Sequence, residues 1–314
     1  MKNKLIIPVQ HLKNSVKEKL EKKIVPGFAG MNAWEVLKFF WFGFTNISTN
    51  MRASGISFRI FLAFFPSIIT LFSLIPFIPI DHFQEDVFQV LKNILPGQTF
   101  SYLETALYDL LNKKQTTLLS IGFLLMIYYA SASLNAIMQA FHASQHIEDS
   151  PHPLIIRVVS VILMFVLGFL FILSLAFQSI GEDTIHQFYE KGYISTDFNS
   201  YSIQIFQWGF SLMLIYTIIT LLYNAGFSVR WRKKWKFWNT GSIFTTATFV
   251  LSSFGFSYFL EHFAQYDKLY GSLGTLMVIL IWMNVNMIIL LVGFDLNVLI
   301  RKTNIRNQLT RQQL

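Results

Sequence analysis

One segment holds the chain's densest group of side chains that could bind a metal: His142, His146, Glu148, Asp149 and His152. His142 and His146 are four residues apart and can share one helix face, which is the spacing of paired zinc ligands. The residue after His142 is alanine, whereas zinc protease helices carry glutamate there, and no second acidic cluster accompanies the group. We therefore interpret the segment as a polar helix end and predict no metal or other cofactor. Only the three histidines are kept as weak metal candidates.

A single carboxylate stands out because it interrupts a long apolar run. From residue 273 to residue 300 the only formal charge is Asp295, and this run exceeds the roughly 20 residues with which a helix crosses a bilayer. In hydrocarbon a carboxylate must reach the headgroups, face a wet cavity, pair with a cation or take up a proton. The sequence thus marks Asp295 as the first residue to explain.

The first apolar run contains two residues that are uncommon inside a membrane, Arg59 and Pro66. Pro66 lacks an amide hydrogen and its ring collides with the preceding turn, so the pattern predicts a kink or a break in the helix. A kink is often simple packing geometry, while a broken helix can line a substrate path. Arg59 lies about one turn inside, where it can snorkel to the headgroups or pair with Asp295, whose predicted depth is similar.

Uncharged polar residues also fall within or at the ends of the apolar runs. For Asn135 and Asn297, hydrogen bonding between helices is the ordinary role in a membrane. Tyr270, Gly271 and Gly274 open the last run, where small residues either permit close helix approach or expose backbone amides to an anion. The pattern favours close packing.

Composition indicates an all-α, polytopic membrane protein. Apolar residues make up 53% of the chain, charged residues only 13%, and the mean hydropathy is +0.47. Such a profile suits contact with lipid rather than a solvated surface. The predicted transmembrane domain, residues 54–301, contains six spans, at about 55–79, 118–141, 154–180, 203–227, 239–260 and 273–300.

Amphipathic segments accompany these spans. Residues 1–53 combine many lysines with regularly spaced apolar residues and predict cytoplasmic or interfacial helices, in which Trp34 and Trp41 share one face. Residues 81–117 show helical periodicity without a spanning run, so they predict a helical loop on the outer face. Residues 302–314 are expected to form a polar cytoplasmic tail.

The 25 Lys and Arg residues predict the orientation of the spans. Nineteen fall on one side of the predicted membrane, five on the other, and Arg59 is the remaining one. Since short cytoplasmic loops carry the basic excess, both termini are expected in the cytoplasm. Basic loops beside a membrane attract anionic lipid headgroups, so lipids are the expected partners and no nucleic acid is expected. The oligomeric state is not predicted.

Several sequence blocks carry a family resemblance. YGSLG at residues 270–274 leads to GFDLN at 293–297, and SFRIFLAFFPSIITL, ASASLNAIMQAF and RWRKKWKFWNTGS occur earlier. These blocks resemble the YihY/BrkB family of bacterial inner-membrane proteins. The resemblance implies six helices and an inner-membrane location, and the family carries an older ribonuclease BN label. Its members usually have glutamate where Asp295 stands and proline near Gly226, and they rarely have arginine at position 59.

Two classes of function remain open from the sequence, with a membrane scaffold as a third. A transporter or exporter of a small or lipid-like substrate would explain the polar residues within the spans. A membrane-bound ribonuclease that processes tRNA would follow the family label, with the histidine cluster as its metal site. The chain has no cysteine and GSLG lacks the lysine of a phosphate-binding loop, which excludes thiol chemistry and an ATP-driven pump within this chain. We assign no catalytic residue and expect no enzyme.

Overall fold

The structure is a computed structural model. It describes residues 21–25, 27–28, 30–77, 84–85, 87–89, 104–105, 108–109, 111–145, 151–190, 198–227, 237–263 and 272–312. The backbone alone is described at residues 144–145, 175–190, 198–204, 261–263, 272–273, 275 and 304–312. Most of residues 1–30 and 81–117, the predicted N-terminal helix and outer-face loop, lie outside the described residues, as do Tyr270 and Gly271.

Seven long helices account for most of the described chain. They are α1 (Ala33–Thr45), α2 (Ile47–Leu74), α3 (Thr116–Gln145), α4 (Pro153–Glu190), α5 (Phe198–Gly226), α6 (Thr240–Phe263) and α7 (Ser272–Gln312). A 3-10 turn, Ile75–Phe77, extends α2. Extended pairing in the described part is limited to one antiparallel bridge between Ile24 and Asn32.

Helices α2 to α7 each contain a stretch long and apolar enough to cross a membrane. These stretches are Ile47–Phe77, Thr116–Ala143, Pro153–Ser174, Ile205–Gly226, Thr240–Leu260 and Leu276–Thr303. A helix pairs most of its backbone hydrogen-bonding groups within itself, which is what hydrocarbon requires. The prediction of an all-α, multi-pass membrane protein is confirmed.

The chain divides into two compact units. The first combines Met1–Ser57 with Ile137–Leu314, and the second is Phe58–Ala136. In the first unit α4 packs on α5, α5 on α6, and α6 on α7, while α1 packs against α7.

The buried part of the first unit centres on the second half of α7. Phe294 stacks on Phe141 with ring centroids 4.0 Å apart, and Tyr223 and Phe227 meet it at 5.5 and 5.3 Å. Aromatic contacts of this kind add stabilisation beyond the area that they bury. Their concentration at one place fixes the position of α7 against α5 and against the end of α3 at Phe141.

A short N-terminal hook holds α1 in place. Asn32 and Glu35 form a capping box, in which the Glu35 amide donates to Asn32 Oδ1 at 2.8 Å and the Asn32 amide donates to Glu35 Oε2 at 2.9 Å. Before the cap, the side chain of Phe28 is buried with Leu296 and Ile300 of α7. The entry angle of α1 is therefore set by both local hydrogen bonds and core packing.

In the second unit α2 continues through Pro66 without a break. The Thr70 hydroxyl donates to the Pro66 carbonyl at 2.7 Å, and the Ser67 hydroxyl donates to the Ala63 carbonyl at 2.7 Å. Such bonds from hydroxyls to the preceding turn supply donors near a proline. The alternative of a helix broken at Pro66 is not what the structure shows.

Candidate functional site in the last span

Asp295 lies in the wall of a cavity of about 390 Å³ between α7, α1 and the first turn of α2. Three more polar side chains line this cavity: Lys302 from α7, Thr49 from α2, and Asn46 from the joint between α1 and α2. The remaining lining is Phe39, Phe42, Gly43, Val292, Val298 and Leu299. We call this space the Asp295 cavity. Its mixture of charged, neutral polar and apolar walls can accommodate a molecule with both polar and apolar parts.

A glycine brings α1 close enough to α7 to form this cavity. A Cβ on Gly43 would collide with Val292, whose Cγ1 would be 2.9 Å away. Any larger residue would therefore push α1 away from the last span. Close helix approach at small residues was expected at the start of the last span, and here it occurs near its end.

The joint between α1 and α2 is fixed by side chains that bond to backbone. The Thr49 amide donates to Asn46 Oδ1 at 3.2 Å, so Asn46 caps α2, and Asn50 Nδ2 donates to the Phe44 carbonyl at 2.9 Å. Arg52 Nη1 donates to the Ala140 carbonyl at 2.9 Å, near the end of α3. Asn46 and Thr49, which line the Asp295 cavity, therefore belong to a joint that is held by hydrogen bonds as well as by apolar packing.

Asn297, two residues after Asp295, joins α7 to the start of α6. Its Nδ2 donates to Asn239 Oδ1 at 3.1 Å, and the same oxygen accepts the Ser242 amide at 2.8 Å as the cap of α6. A Cβ on Gly241 would lie 2.9 Å from Asn297 Cγ and 3.0 Å from the Gly293 carbonyl oxygen. The structure thus gives Asn297 the helix-to-helix bonding role that is usual for such residues.

A buried tyrosine on α5 links α5, α6 and α7, and its partner on α7 lies about one turn before Asp295. The Tyr223 hydroxyl, on α5, donates to the Leu290 carbonyl at 2.8 Å and lies 2.7 Å from Thr245 Oγ1 on α6. Gly293 faces this pair, and a Cβ there would lie 2.6 Å from the Tyr223 oxygen. Gly293, the glycine that opens the GFDLN block, is therefore required by space, because Tyr223 and Thr245 occupy the place of a side chain.

Arg301 ties the end of the last span to the end of α5. Its guanidinium lies 3.8 Å from the ring centroid of Phe227, and Nη2 donates to Asn224 Oδ1 at 3.4 Å. Both partners lie at the C-terminal end of α5, where the helix dipole favours a cation. A cation over an aromatic face gains further stabilisation when water is partly excluded. The charge of Arg301 is therefore used in packing against the end of α5, and Arg301 does not line the Asp295 cavity.

The histidine candidates are only partly described. His152 caps α4: its Nδ1 accepts the Leu154 amide at 3.3 Å, and its carbonyl accepts the Ile155 amide at 2.9 Å. His142 lies near the end of α3, while His146, Glu148 and Asp149 are outside the described residues. Within the part of the chain that the structure covers, no group of three His, Asp or Glu side chains is close enough to hold a metal ion.

The other candidates fall in different places. Arg59 is exposed on α2 in the second unit, and Gly274 is buried in the first turn of α7. Asn135, on α3, has a buried Oδ1 with no hydrogen-bond partner among the described residues. The pairing of Arg59 with Asp295 remains a prediction, because the two residues belong to units that are described separately.

Sequence reasoning missed several residues that position the site. Asn239 directly precedes an apolar run, which is a helix-capping signal that could have been read. Thr49, Lys302 and Tyr223 carried no such signal, because a single polar residue at a helix end or a tyrosine within a span has many ordinary roles. The approach of Thr49 and Tyr223 to α7 depends on which helices pack together.

Comparison with known proteins identifies the family of this chain. The family model described as "Virulence factor BrkB" matches residues 40–313. This chain belongs to the BrkB family. The resemblance seen in the YGSLG and GFDLN blocks is confirmed by this match.

Individual relatives are distant but extensive. The ribonuclease-like protein YfkH of Bacillus subtilis (strain 168) is 25% identical over 261 residues, which are 80% of this chain and 90% of YfkH. A UPF0761 membrane protein of Psychrobacter sp. (strain PRwf-1) is 24% identical over 293 residues, 89% of this chain and 50% of that protein. The chain therefore spans about half the length of the Psychrobacter relative. No solved structure gives a significant match.

Proposed function

We propose that this BrkB-family chain is a transporter or exporter of a small or lipid-like substrate, with the Asp295 cavity as part of its substrate site. The observation that supports the proposal is the cavity lining: a carboxylate, an ammonium group and two neutral polar side chains face a space whose other walls are apolar. Asp295 belongs to a stretch of α7 that is apolar enough to span a membrane. A carboxylate at such a position costs free energy, and polar residues that are kept there commonly serve substrate or ion paths.

The cavity lining also indicates the kind of molecule that would fit. Asp295 can accept hydrogen bonds or attract a cationic group, while Lys302 can attract an anionic one. Phe39, Phe42 and Val298 offer an apolar wall. A substrate with a polar head and an apolar portion would use all three.

We further propose an inner-membrane location with both termini in the cytoplasm. The supporting observation is the distribution of Lys and Arg, nineteen against five on the two sides of the spans. On this orientation the Asp295 cavity opens near the cytoplasmic headgroups, because the apolar run of α7 begins outside and ends just before Arg301. No nucleic acid is expected to bind the basic loops, which lie beside anionic lipids.

We also propose that the chain is not an enzyme. The name of the Bacillus relative contains ribonuclease, and metal-dependent phosphodiester cleavage needs a cluster of acids or histidines that holds a metal. The proposal is tested with purified chain, labelled tRNA and added Mg²⁺ or Mn²⁺. Cleavage that disappears when His142→Ala and His146→Ala are combined would reverse it, and no cleavage is the expected result.

The transport proposal is tested by comparing solutes released into the medium by a deletion strain that carries different variants. Leu299→Trp narrows the Asp295 cavity, since Leu299 lines it. Ile281→Trp is the matched control on the same helix, because Ile281 is 60% exposed and lines no part of that cavity. The expected result is at least one solute whose release is restored by the original chain and by Ile281→Trp but not by Leu299→Trp. Equal release profiles for all strains, at equal protein levels in the membrane, would favour a scaffold instead.

A further inference from the structure

A second and larger cavity, of about 800 Å³, lies along α5 and α6. Among its lining residues, Tyr216 and Thr246 carry hydroxyls, and both of these already donate within the protein: Tyr216 to the Phe237 carbonyl at 2.7 Å and Thr246 to the Ser242 carbonyl at 2.8 Å. The rest of the wall includes Leu212, Met213, Ile243, Ala247, Val250 and Leu251. We call this space the α5–α6 groove. It suits an occupant that needs no hydrogen bonds.

The groove has about the length of one lipid leaflet. From Ile243 to Leu251 the α6 wall rises about 12 Å, and half of a hydrocarbon core is about 15 Å. One helical turn beyond Leu251, Phe254 stacks on Trp208 with centroids 6.3 Å apart, which bounds the groove at that end. An extended acyl chain from a single leaflet matches this length.

The opposite end of the groove carries the aromatic residues of a membrane interface. Tyr216 contacts the rings of Phe237 and Trp238, with centroids 5.5 and 5.9 Å away. Trp238 is 76% exposed. Exposed tryptophan and tyrosine are favoured at the level of lipid headgroups, where one part of the ring system is apolar and the other is wet. The groove therefore begins at headgroup level and extends into the hydrocarbon.

We propose that the α5–α6 groove binds one acyl chain of an anionic phospholipid from the leaflet on the Trp238 side. The choice of headgroup follows from the sequence, because five of the seven residues before Phe237 are Lys or Arg. Basic residues at a membrane surface attract anionic lipids by electrostatics. This inference does not depend on the transport proposal. The α5–α6 groove lies along α5 and α6, whereas the Asp295 cavity lies between α7, α1 and the start of α2.

The first test counts lipids that stay bound after purification. The chain is equilibrated with equal amounts of phosphatidylglycerol and phosphatidylcholine of the same acyl chains, and retained lipid is measured by native mass spectrometry. Ala247→Trp fills the groove, and Gly168→Trp is the matched control, because nothing lies within 4 Å of a Cβ at Gly168. The expected result is one retained phosphatidylglycerol in the original chain and in Gly168→Trp, and its loss in Ala247→Trp.

A second test uses the unfilled groove, so that it does not depend on how Ala247→Trp folds. Tryptophan fluorescence is quenched with phospholipids that carry brominated acyl chains. The quenching that is due to Trp238, called the Trp238 share, is the quenching of the original chain minus that of Trp238→Phe. We expect brominated phosphatidylglycerol to give the same quenching of Trp238 at about one-fifth of the concentration that brominated phosphatidylcholine needs. This ratio corresponds to the attraction of one basic residue near the surface. Equal competition by the two lipids, or retained phosphatidylglycerol that Ala247→Trp leaves unchanged, would overturn the proposal.

Discussion

Gly293 of α7 and Thr245 of α6 approach so closely that no side-chain carbon fits between the two helices at this point. The hydroxyl of Tyr223 lies beside the same contact and would be 2.6 Å from a Cβ on Gly293. Two residues further along α7, Asp295 reaches the cavity on the side of α1. The position of Asp295 thus depends on the contact of Gly293 with α6, which lies about half a helical turn earlier on a different face of α7.

We predict that Gly293→Ala destabilises the protein. The added carbon must displace Tyr223 or Thr245, and overpacking of a filled core typically costs about 1–3 kcal/mol, which outweighs the helix propensity gained over glycine. Thermal unfolding in detergent measures the effect. Gly255→Ala, in open space on α6, serves as the control and should be neutral or slightly stabilising. Equal behaviour of the two variants would contradict the packing described here.

Asn239 and Asn297 should show coupled losses of stability. Asn239→Ala removes both the cap of α6 and the acceptor of Asn297, and loss of a cap typically costs about 0.5–2 kcal/mol. A double-mutant cycle with Asn297→Ala isolates their shared hydrogen bond. We expect the double variant to lose less than the sum of the single variants. Additive losses would show that the bond contributes nothing to stability.

The orientation can be tested without background because the chain has no cysteine. Single cysteines are introduced as Lys236→Cys, Gln313→Cys and Asn112→Cys and labelled in intact cells with a reagent that does not cross the inner membrane. The basic excess predicts that only Asn112→Cys is labelled from outside. External labelling of Gln313→Cys would refute cytoplasmic termini.

The sequence-based pairing of Arg59 with Asp295 makes a further prediction. Asp295→Asn should lower thermal stability by leaving Arg59 without its partner, and the exchange of Arg59→Asp with Asp295→Arg should recover part of that loss. Strictly additive losses would mean that the two residues act separately. Lys302, which lines the same cavity as Asp295, would then be the next partner to examine.

The fold was largely predictable because the signal that identifies a membrane span is local. Six apolar runs separated by polar loops require only length and composition to be recognised, and helices α2 to α7 contain them. The signal that decides where a helix ends is less local. Residues 302–312, assigned to a polar tail from composition, continue α7 as helix, since a helix can extend past the end of an apolar run when its residues favour it.

The site was predictable only in part. Asp295 was identified because a lone charge in an apolar run is costly wherever the helix packs. Lys302 lies about two turns further along the same helix as Asp295. Thr49 was not predicted, because it meets Asp295 only through the close approach of α1 and α7 at Gly43 and Val292. Such contacts join residues nearly 250 positions apart in the sequence, and no periodicity in a single sequence encodes them.

The central claim is that the Asp295 cavity takes part in transport, and reconstituted flux tests it most directly. Proteoliposomes are loaded with the solute whose release depends on the original chain, and its efflux is compared for the original protein, Asp295→Asn and Ile281→Trp at equal protein content. We predict that efflux exceeds that of empty liposomes, falls at least tenfold with Asp295→Asn, and is unchanged with Ile281→Trp, since one lost charge-assisted hydrogen bond of about 1.5–3 kcal/mol corresponds to that range. Efflux equal to that of empty liposomes, or equal efflux from Asp295→Asn and the original chain, would contradict the account.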